Sequence, residues 1–283
     1  MPTILVATDF STGSDRAVRR ATLIARQFGY NILLIKVVDD EQPRRLDAEL
    51  HETTALLAEL ERTIAEVDGV KCTTALRFGK SFEQIVSAAE EAQAELIVVG
   101  PHRRRLLLDQ FQGTTVDRVI RRSRLPVLVA NAVPVGAYGR VLLSIDLESP
   151  SATAALVRSL PFYRQADLVL LHVYDPVAQA MLARGLASPE QRQALASDDS
   201  RRAQEALSAF AAAAGIAHVR LVVRPSGGSI PKSVLDAAAD EEADLVVVAA
   251  HDKGPLEKAI IGSTTEGLLR ESSRDVLVIT ASD

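Results

Sequence analysis

Short unbroken apolar runs alternate with stretches of helical period along nearly the whole chain. Ile4 to Thr8, Ile32 to Val38, Val70 to Phe78, Leu96 to Val99 and Val127 to Val129 read as strands. Their continuous apolar character is what a parallel sheet covered on both faces requires. The first helix follows Thr12, with Asp15 three positions on as a capping-box-like start, and runs to about Phe28, where Gly29 stops it. Residues 46–67 repeat Leu46, Leu50, Leu57, Leu60 and Ile64 at helical spacing, residues 81–93 form a further helix, and a short one opens at Thr114. The order then restarts. Val141 to Ile145, Leu168 to Val173, Val219 to Val223, Leu245 to Val248 and Val276 to Ile279 are strands, with a long Ala-rich helix ending before Gly215 and another from about Ile230. This alternation predicts an α/β fold of two tandem, doubly wound, five-stranded parallel-sheet (Rossmann-like) domains.

The restart is a true internal repeat. Residues 96–129, LIVVGPHRRRLLLDQFQGTTVDRVIRRSRLPVLV, align without a gap on residues 245–278, LVVVAAHDKGPLEKAIIGSTTEGLLRESSRDVLV, at an offset of 149 (245 − 96). His102 falls on His251, Gly113 on Gly262, Pro126 on Asp275, and further upstream Gly79 falls on Gly228. The duplication predicts domains at residues 1–132 and 140–283, joined by a linker at 133–139 that holds Pro134, Gly136 and Gly139. Extra residues between Asp175 and Ser188, with Met181 and Leu182, read as a surface connection. Each copy passes from a buried strand through a polar loop to a Gly-Thr or Gly-Ser that opens a helix. The bare amides at such a helix start suit a phosphate.

Composition narrows the function. With 47% hydrophobic and 24% charged residues the chain is an ordinary globular one. A net charge of −5 lacks the basic face a general nucleic-acid binder needs. Cys72 is the only cysteine, which excludes an intrachain disulfide and a cysteine metal cluster. The opening MPTILVATDF has neither the basic lead nor the apolar length of a signal peptide, and no apolar run approaches the ~20 residues of a membrane helix. A cytoplasmic protein without a membrane or nucleic-acid partner is expected. Gly79-Lys80-Ser81 imitates the tail of a P-loop, yet Thr74 stands where its first glycine belongs and the repeat reads Gly228-Ser229-Ile230. No nucleophile elbow or zinc spacing occurs.

Asp9 after the first strand, the second strands LLIKVVD and LLHVYD, and the two loop–helix units resemble the universal stress protein family in its tandem form. The resemblance spans nearly the whole chain. It implies five parallel strands per domain and a loop of the form G-x2-G-x9-G-[ST] that cradles ATP phosphates, with Mg as the companion ion. Carried onto this sequence, the first half supplies Gly100, His102 within the loop, Arg103 in place of the second glycine, then Gly113 and Thr114, with Thr115 next to them and Val116 at the family's later hydroxyl position. The second half supplies Ala249, His251, Asp252, Gly262 and Ser263, followed by Thr264 and by Thr265, which keeps that hydroxyl. The resemblance also assigns Asp9 and Asp146 to the adenosine and Val37 and Val173 to the base, with Thr8 at the end of the first strand.

The departures have a physical reading. Arginine at 103 blocks close approach of the backbone but supplies a forked cation, reinforced by Arg104 and Arg105. Aspartate at 252 sets a negative charge where a polyphosphate would lie, costing roughly 4 kcal/mol at ~4 Å in an effective dielectric near 20, partly offset by Lys253. The expectation is an ATP site in the first half and a degenerate counterpart in the second. The chain is then a nucleotide- or ligand-responsive regulatory module with unidentified protein clients, not an enzyme. Two alternatives stay open: a scaffold that binds no nucleotide and acts through protein contacts, and a slow ATP hydrolase using His102 or Asp109. The closing strands 127–129 and 276–279 are expected to pair with each other, making an internal pseudo-dimer of the halves, with a homodimer as a further option.

Overall fold

The first strand, β1 (Thr3–Thr8), buries Ile4, Leu5 and Val6 completely, because sheet neighbours flank it and helices cover it. Burying one such side chain is worth about 1.5–3 kcal/mol. The structure, a computed structural model, describes residues 1–38, 46–101, 115–147, 165–176, 188–250 and 261–280. These divide into two compact units.

In the first unit β1 leads to α1 (Thr12–Phe28), β2 (Asn31–Val38), α2 (Leu46–Glu66), β3 (Cys72–Phe78), α3 (Ser81–Glu91), β4 (Leu96–Val99), α4 (Thr115–Arg122) and β5 (Val127–Val129). The last strand of the chain, β10 (Asp275–Thr280), is counted with this unit too. The strand order is β3-β2-β1-β4-β5-β10. Strands β1 to β5 run parallel, and β10 runs antiparallel to β5 in the register Val276↔Val129, Leu277↔Leu128, Val278↔Val127. The expected pairing of the two closing strands is therefore present.

Helix α1 shows why these segments are helical. Ala17, Ala21, Ile24 and Ala25 are buried at spacings of three and four, on the face laid against the sheet. It ends at Gly29, whose left-handed φ of 74° and amide bond to the Ala25 carbonyl close the last turn. Its start differs from the sequence expectation. Ser11, not Thr12, is the N-cap, and Ser14, not Asp15, closes the capping box. The reason is local: Ser11 is extended (φ −86°, ψ 160°) and accepts from the Ser14 amide at 3.2 Å, while the Ser14 hydroxyl accepts from the Ser11 amide at 3.0 Å. Strand β3 also starts later than expected. Gly69 turns at φ 67°, and the Val70 amide bonds back to the Ile64 carbonyl at 3.3 Å, so pairing begins at Cys72.

The second unit contains β6 (Arg140–Ser144), β7 (Asp167–Tyr174), α5 (Pro189–Ala213), β8 (Arg220–Pro225), α6 (Ile230–Asp240), β9 (Leu245–Ala250) and α7 (Ser263–Glu271). Its parallel strands lie in the order β9-β6-β7-β8. Strand β8 starts one residue after the expected Val219, beyond His218 at φ 56°. Helix α7 approaches α6 closely: a β-carbon on Gly267 would lie 2.6 Å from the Pro231 ring. Two Rossmann-like α/β domains are thus in place. The segment read as a surface connection, residues 177–187, lies outside the described residues.

Candidate functional site

In the first unit the strand order doubles back between β1 and β4, and in an open parallel sheet the crevice beyond the carboxyl ends at that point is where ligands collect. Asp9 follows β1, Gly100 follows β4, and Val37 is the next-to-last residue of β2. The topology therefore brings these expected residues to one edge. Val37 is half-buried and Asp9 exposed.

The turn from β1 into α1 is held by a knot of hydroxyls. Buried Thr8 has its hydroxyl 3.1 Å from that of Ser14, and Thr8 Oγ1 accepts from the Phe10 amide at 3.0 Å. Ser14 Oγ accepts from the Asp9 amide at 3.3 Å and from the Ser11 amide at 3.0 Å, and donates to the Ser11 carbonyl. Asp9 Oδ1 accepts from the Ser11 amide at 3.0 Å, so the carboxylate is oriented by its own turn. Phe10 adopts φ 62°, a left-handed conformation seldom taken by a bulky residue, with Lys36 Nζ 5.5 Å from its ring centroid. Lys36 is the sheet partner of Thr8, so this cation stands at the same edge. The sequence reading missed Ser11, Ser14, Phe10 and Lys36. Only the Ser-x-x-Ser spacing carried a signal, since it has the form of a capping box with serine in place of glutamate.

Gly100 has a structural duty. A β-carbon there would lie 2.6 Å from the Gly13 carbonyl oxygen and 2.8 Å from the Ser14 amide nitrogen. Gly100 and Pro101 therefore rest directly on the first turn of α1, whose N-terminus is closed by its own serines. At the start of α4 Thr115 is exposed. His102, Arg103, Gly113 and Thr114 lie outside the described residues.

In the second unit the reversal falls between β6 and β9. Asp146 follows β6, Val173 lies near the end of β7, and Ala249 near the end of β9, all half-buried. The Ile145 carbonyl beside Asp146 lies 3.2 Å from His172 Nδ1. Gly262 is the N-cap of α7, extended at φ −66°, ψ 159°, and no side chain caps that end. A β-carbon on Gly262 would meet nothing within 4 Å. Ser263 is exposed, Thr264 half-buried and Thr265 buried. His251 and Asp252 lie outside the described residues.

Two marked pKa shifts of the first unit fall at the opposite, amino edge of its sheet. Burial, with Glu61 nearby, pushes the Cys72 thiol up to about 12, and burial with a hydrogen bond to Glu95 pushes the Tyr30 phenol upward. Among the described residues no cluster of three His, Cys, Asp or Glu side chains is placed to hold a metal ion, and no helix is long and apolar enough to cross a membrane.

Comparison with known proteins places this geometry. A universal stress protein of Methanocaldococcus jannaschii is 33% identical over 135 residues, covering 44% of this chain and 79% of its own. The crystal structure of a universal stress protein from Archaeoglobus fulgidus shares the fold, with a TM-score of 0.68 at 19% identity over 99% of this chain and 98% of that one. A universal stress protein solved in complex with cAMP is 25% identical, covering 45% of this chain and 95% of its own, at a TM-score of 0.39. The universal stress protein family model matches residues 1–131 and again residues 137–280. The chain therefore belongs to the universal stress protein family, as a tandem of two of its domains.

Proposed function

We propose that this protein is an adenine-nucleotide-responsive regulatory module whose working site is the carboxyl edge of the first unit. The observation that carries the reading is the Thr8–Ser14 hydroxyl knot, which fixes the Asp9 carboxylate at the mouth of the β1–β4 crevice. A carboxylate held there suits the paired hydroxyls of a ribose, since it accepts several hydrogen bonds at once. Val37 offers apolar surface for the base at the end of β2. ATP, with Mg, would then extend its phosphates toward the segment of His102, Arg103, Gly113 and Thr114 and toward Thr115 at the α4 start. In the second unit Asp146, Val173, Gly262 and Thr265 keep the outline, but Asp252 opposes a polyphosphate, so that copy is the degenerate one.

Regulation rather than catalysis is proposed because the described groups at this edge orient and bind without presenting a nucleophile and base in contact. A cytoplasmic setting, with protein clients as readers, completes the proposal and accords with the buried free thiol of Cys72. The scaffold alternative stands second, because β5, a strand it would offer to other chains, already has β4 on one side and β10 on the other.

Calorimetric titration with Mg-ATP of the full chain and its Asp9→Ala and Asp146→Ala variants tests the reading. One site is expected in the parent and in Asp146→Ala, and none in Asp9→Ala. At 100-fold excess over Kd, binding should add about 2.7 kcal/mol to stability, giving a parallel thermal shift. Unchanged binding in Asp9→Ala, or loss only in Asp146→Ala, would overturn it.

A further inference from the structure

The closing strands of the two repeats carry the same triplet, Val127-Leu128-Val129 and Val276-Leu277-Val278. Val-Leu-Val is its own antiparallel complement. Apolar pairing alone therefore cannot tell β5 on β10 from β5 on the β5 of a second copy of the chain. Yet the structure shows one arrangement, and the residue before the triplet is where the repeats differ: Pro126 in the first, Asp275 in the second.

Asp275 is completely buried. Its Oδ2 lies 2.8 Å from Nε of Arg20, itself 4% exposed, and its Oδ1 accepts from the Ala132 amide at 2.8 Å. Arg20 comes from the buried face of α1 and also donates from Nη1 to the Gly136 carbonyl at 2.7 Å. Next to it, Arg16 donates to the Asn131 carbonyl, and Asn131 Nδ2 donates to the Arg274 carbonyl at 3.0 Å. One arginine thus joins the first helix, the segment after β5 and the start of β10.

Counting on from Val276↔Val129, Asp275 comes opposite Ala130. In a β5–β5 pairing between two copies, centred on Leu128, the residue brought opposite Ala130 is Pro126. The buried guanidinium would then lack this carboxylate, and a slip of β10 by two residues would have the same result. A buried charge deprived of its partner is strongly penalised, whereas the matched pair is tolerated. We infer that Arg20 and Asp275 form a recognition pair by which the first unit accepts the chain's own C-terminal strand, in one register, and rejects a second copy at the same edge. This inference does not depend on nucleotide binding.

The test compares the full-length parent, Asp275→Leu and the double variant Arg20→Met/Asp275→Leu by hydrogen exchange and by light-scattering mass over a range of concentrations. In Asp275→Leu, β10 amides should exchange more than about 100-fold faster, and a concentration-dependent rise in mass should appear while β5 stays protected. The double variant, apolar on both sides, should recover β10 protection. If Asp275→Leu does not fold, Asp275→Asn takes its place, and its β10 exchange should also quicken. A protected β10 at unchanged mass in the folded single variant, or a double variant as loose as the single one, would overturn the inference.

Discussion

Gly100 separates two reasons for a glycine at the mouth of the β1–β4 crevice: room for a ligand, or room for the protein's own backbone. Gly100→Ala tests them. A β-carbon there stands 2.6 Å from the Gly13 carbonyl oxygen, 2.7 Å from the Gly13 carbonyl carbon and 2.8 Å from the Ser14 amide nitrogen. Ordinary contact begins near 3.4 Å, so backbone must yield by several tenths of an ångström on one side. Neither side yields easily: β4 is buried along its length, and the Gly13–Ser14 turn is tied by the hydroxyl knot. Overpacking of this kind costs about 1–3 kcal/mol. Alanine recovers about 0.4–1 kcal/mol by restricting the unfolded chain, since Gly100 is not in the left-handed region. The net expectation is a loss of about 1–2 kcal/mol, or several degrees of Tm for a domain of this size. Denaturant titration of the ligand-free protein checks it. Unchanged stability in Gly100→Ala would refute the packing argument and return the residue to a purely ligand-facing role.

Two further predictions rest on separate observations. Gly262→Ser should stabilise the second unit by about 0.5 kcal/mol, because the backbone there is already extended, the added β-carbon meets nothing within 4 Å and the hydroxyl can cap α7; a clear loss in denaturant would contradict this. Cys72 should resist a thiol reagent at neutral pH until the protein unfolds, since its proton is held up to about 12 against the ordinary 9.0. A pKa raised in the fold means its contribution is whole below pH ~9 and is lost as pH climbs from ~9 toward ~12, so Cys72→Ala should show a shallower loss of stability over that window; immediate labelling or identical profiles would exclude it.

The alternation of apolar runs and helical period made the α/β fold legible, because strands covered on both faces leave little other reading. Boundaries were less legible where one residue's backbone decides them: Ser11 takes the cap from Thr12, and His218 delays β8 by a residue. At the site, Asp9 and Val37 could be placed from their positions at strand ends. The groups that hold Asp9 could not, since Ser14 acts through three partners that become neighbours only when the turn closes. Arg20 and Asp275 left a trace that was legible in principle. An arginine on the apolar stripe of α1 and an aspartate opening an otherwise apolar strand each break their local pattern, and two such breaks invite pairing. Nothing in the sequence says which breaks meet across 255 residues (275 − 20).

The duplication lets each half serve as the other's control. At the offset of 149, Phe82 matches Pro231 and Arg118 matches Gly267, and both pairs join the same two helices of their unit. In the first unit the Arg118 guanidinium stacks over Phe82 at 5.3 Å, with Arg122 at 6.0 Å; in the second, Gly267 admits the Pro231 ring against bare backbone. The helix contact is kept while its chemistry is exchanged as a pair, so a change at one position alone would leave either a clash or a gap. That exchange also alters the charge of the later helix in each pair. Helix α4 carries Arg118, Arg121 and Arg122 against Asp117, a balance of +2 (3 − 1), whereas α7 carries Arg270 against Glu266 and Glu271, a balance of −1 (1 − 2). The two helices thus carry summed side-chain charge of opposite sign, although the first turn of each is acidic, with Asp117 in α4 and Glu266 in α7, and each charge is screened over about 8–10 Å at physiological salt. Packing and charge thus change together: the position that decides how the two helices meet also decides whether the later helix carries the Arg118 cation or the bare backbone of Gly267.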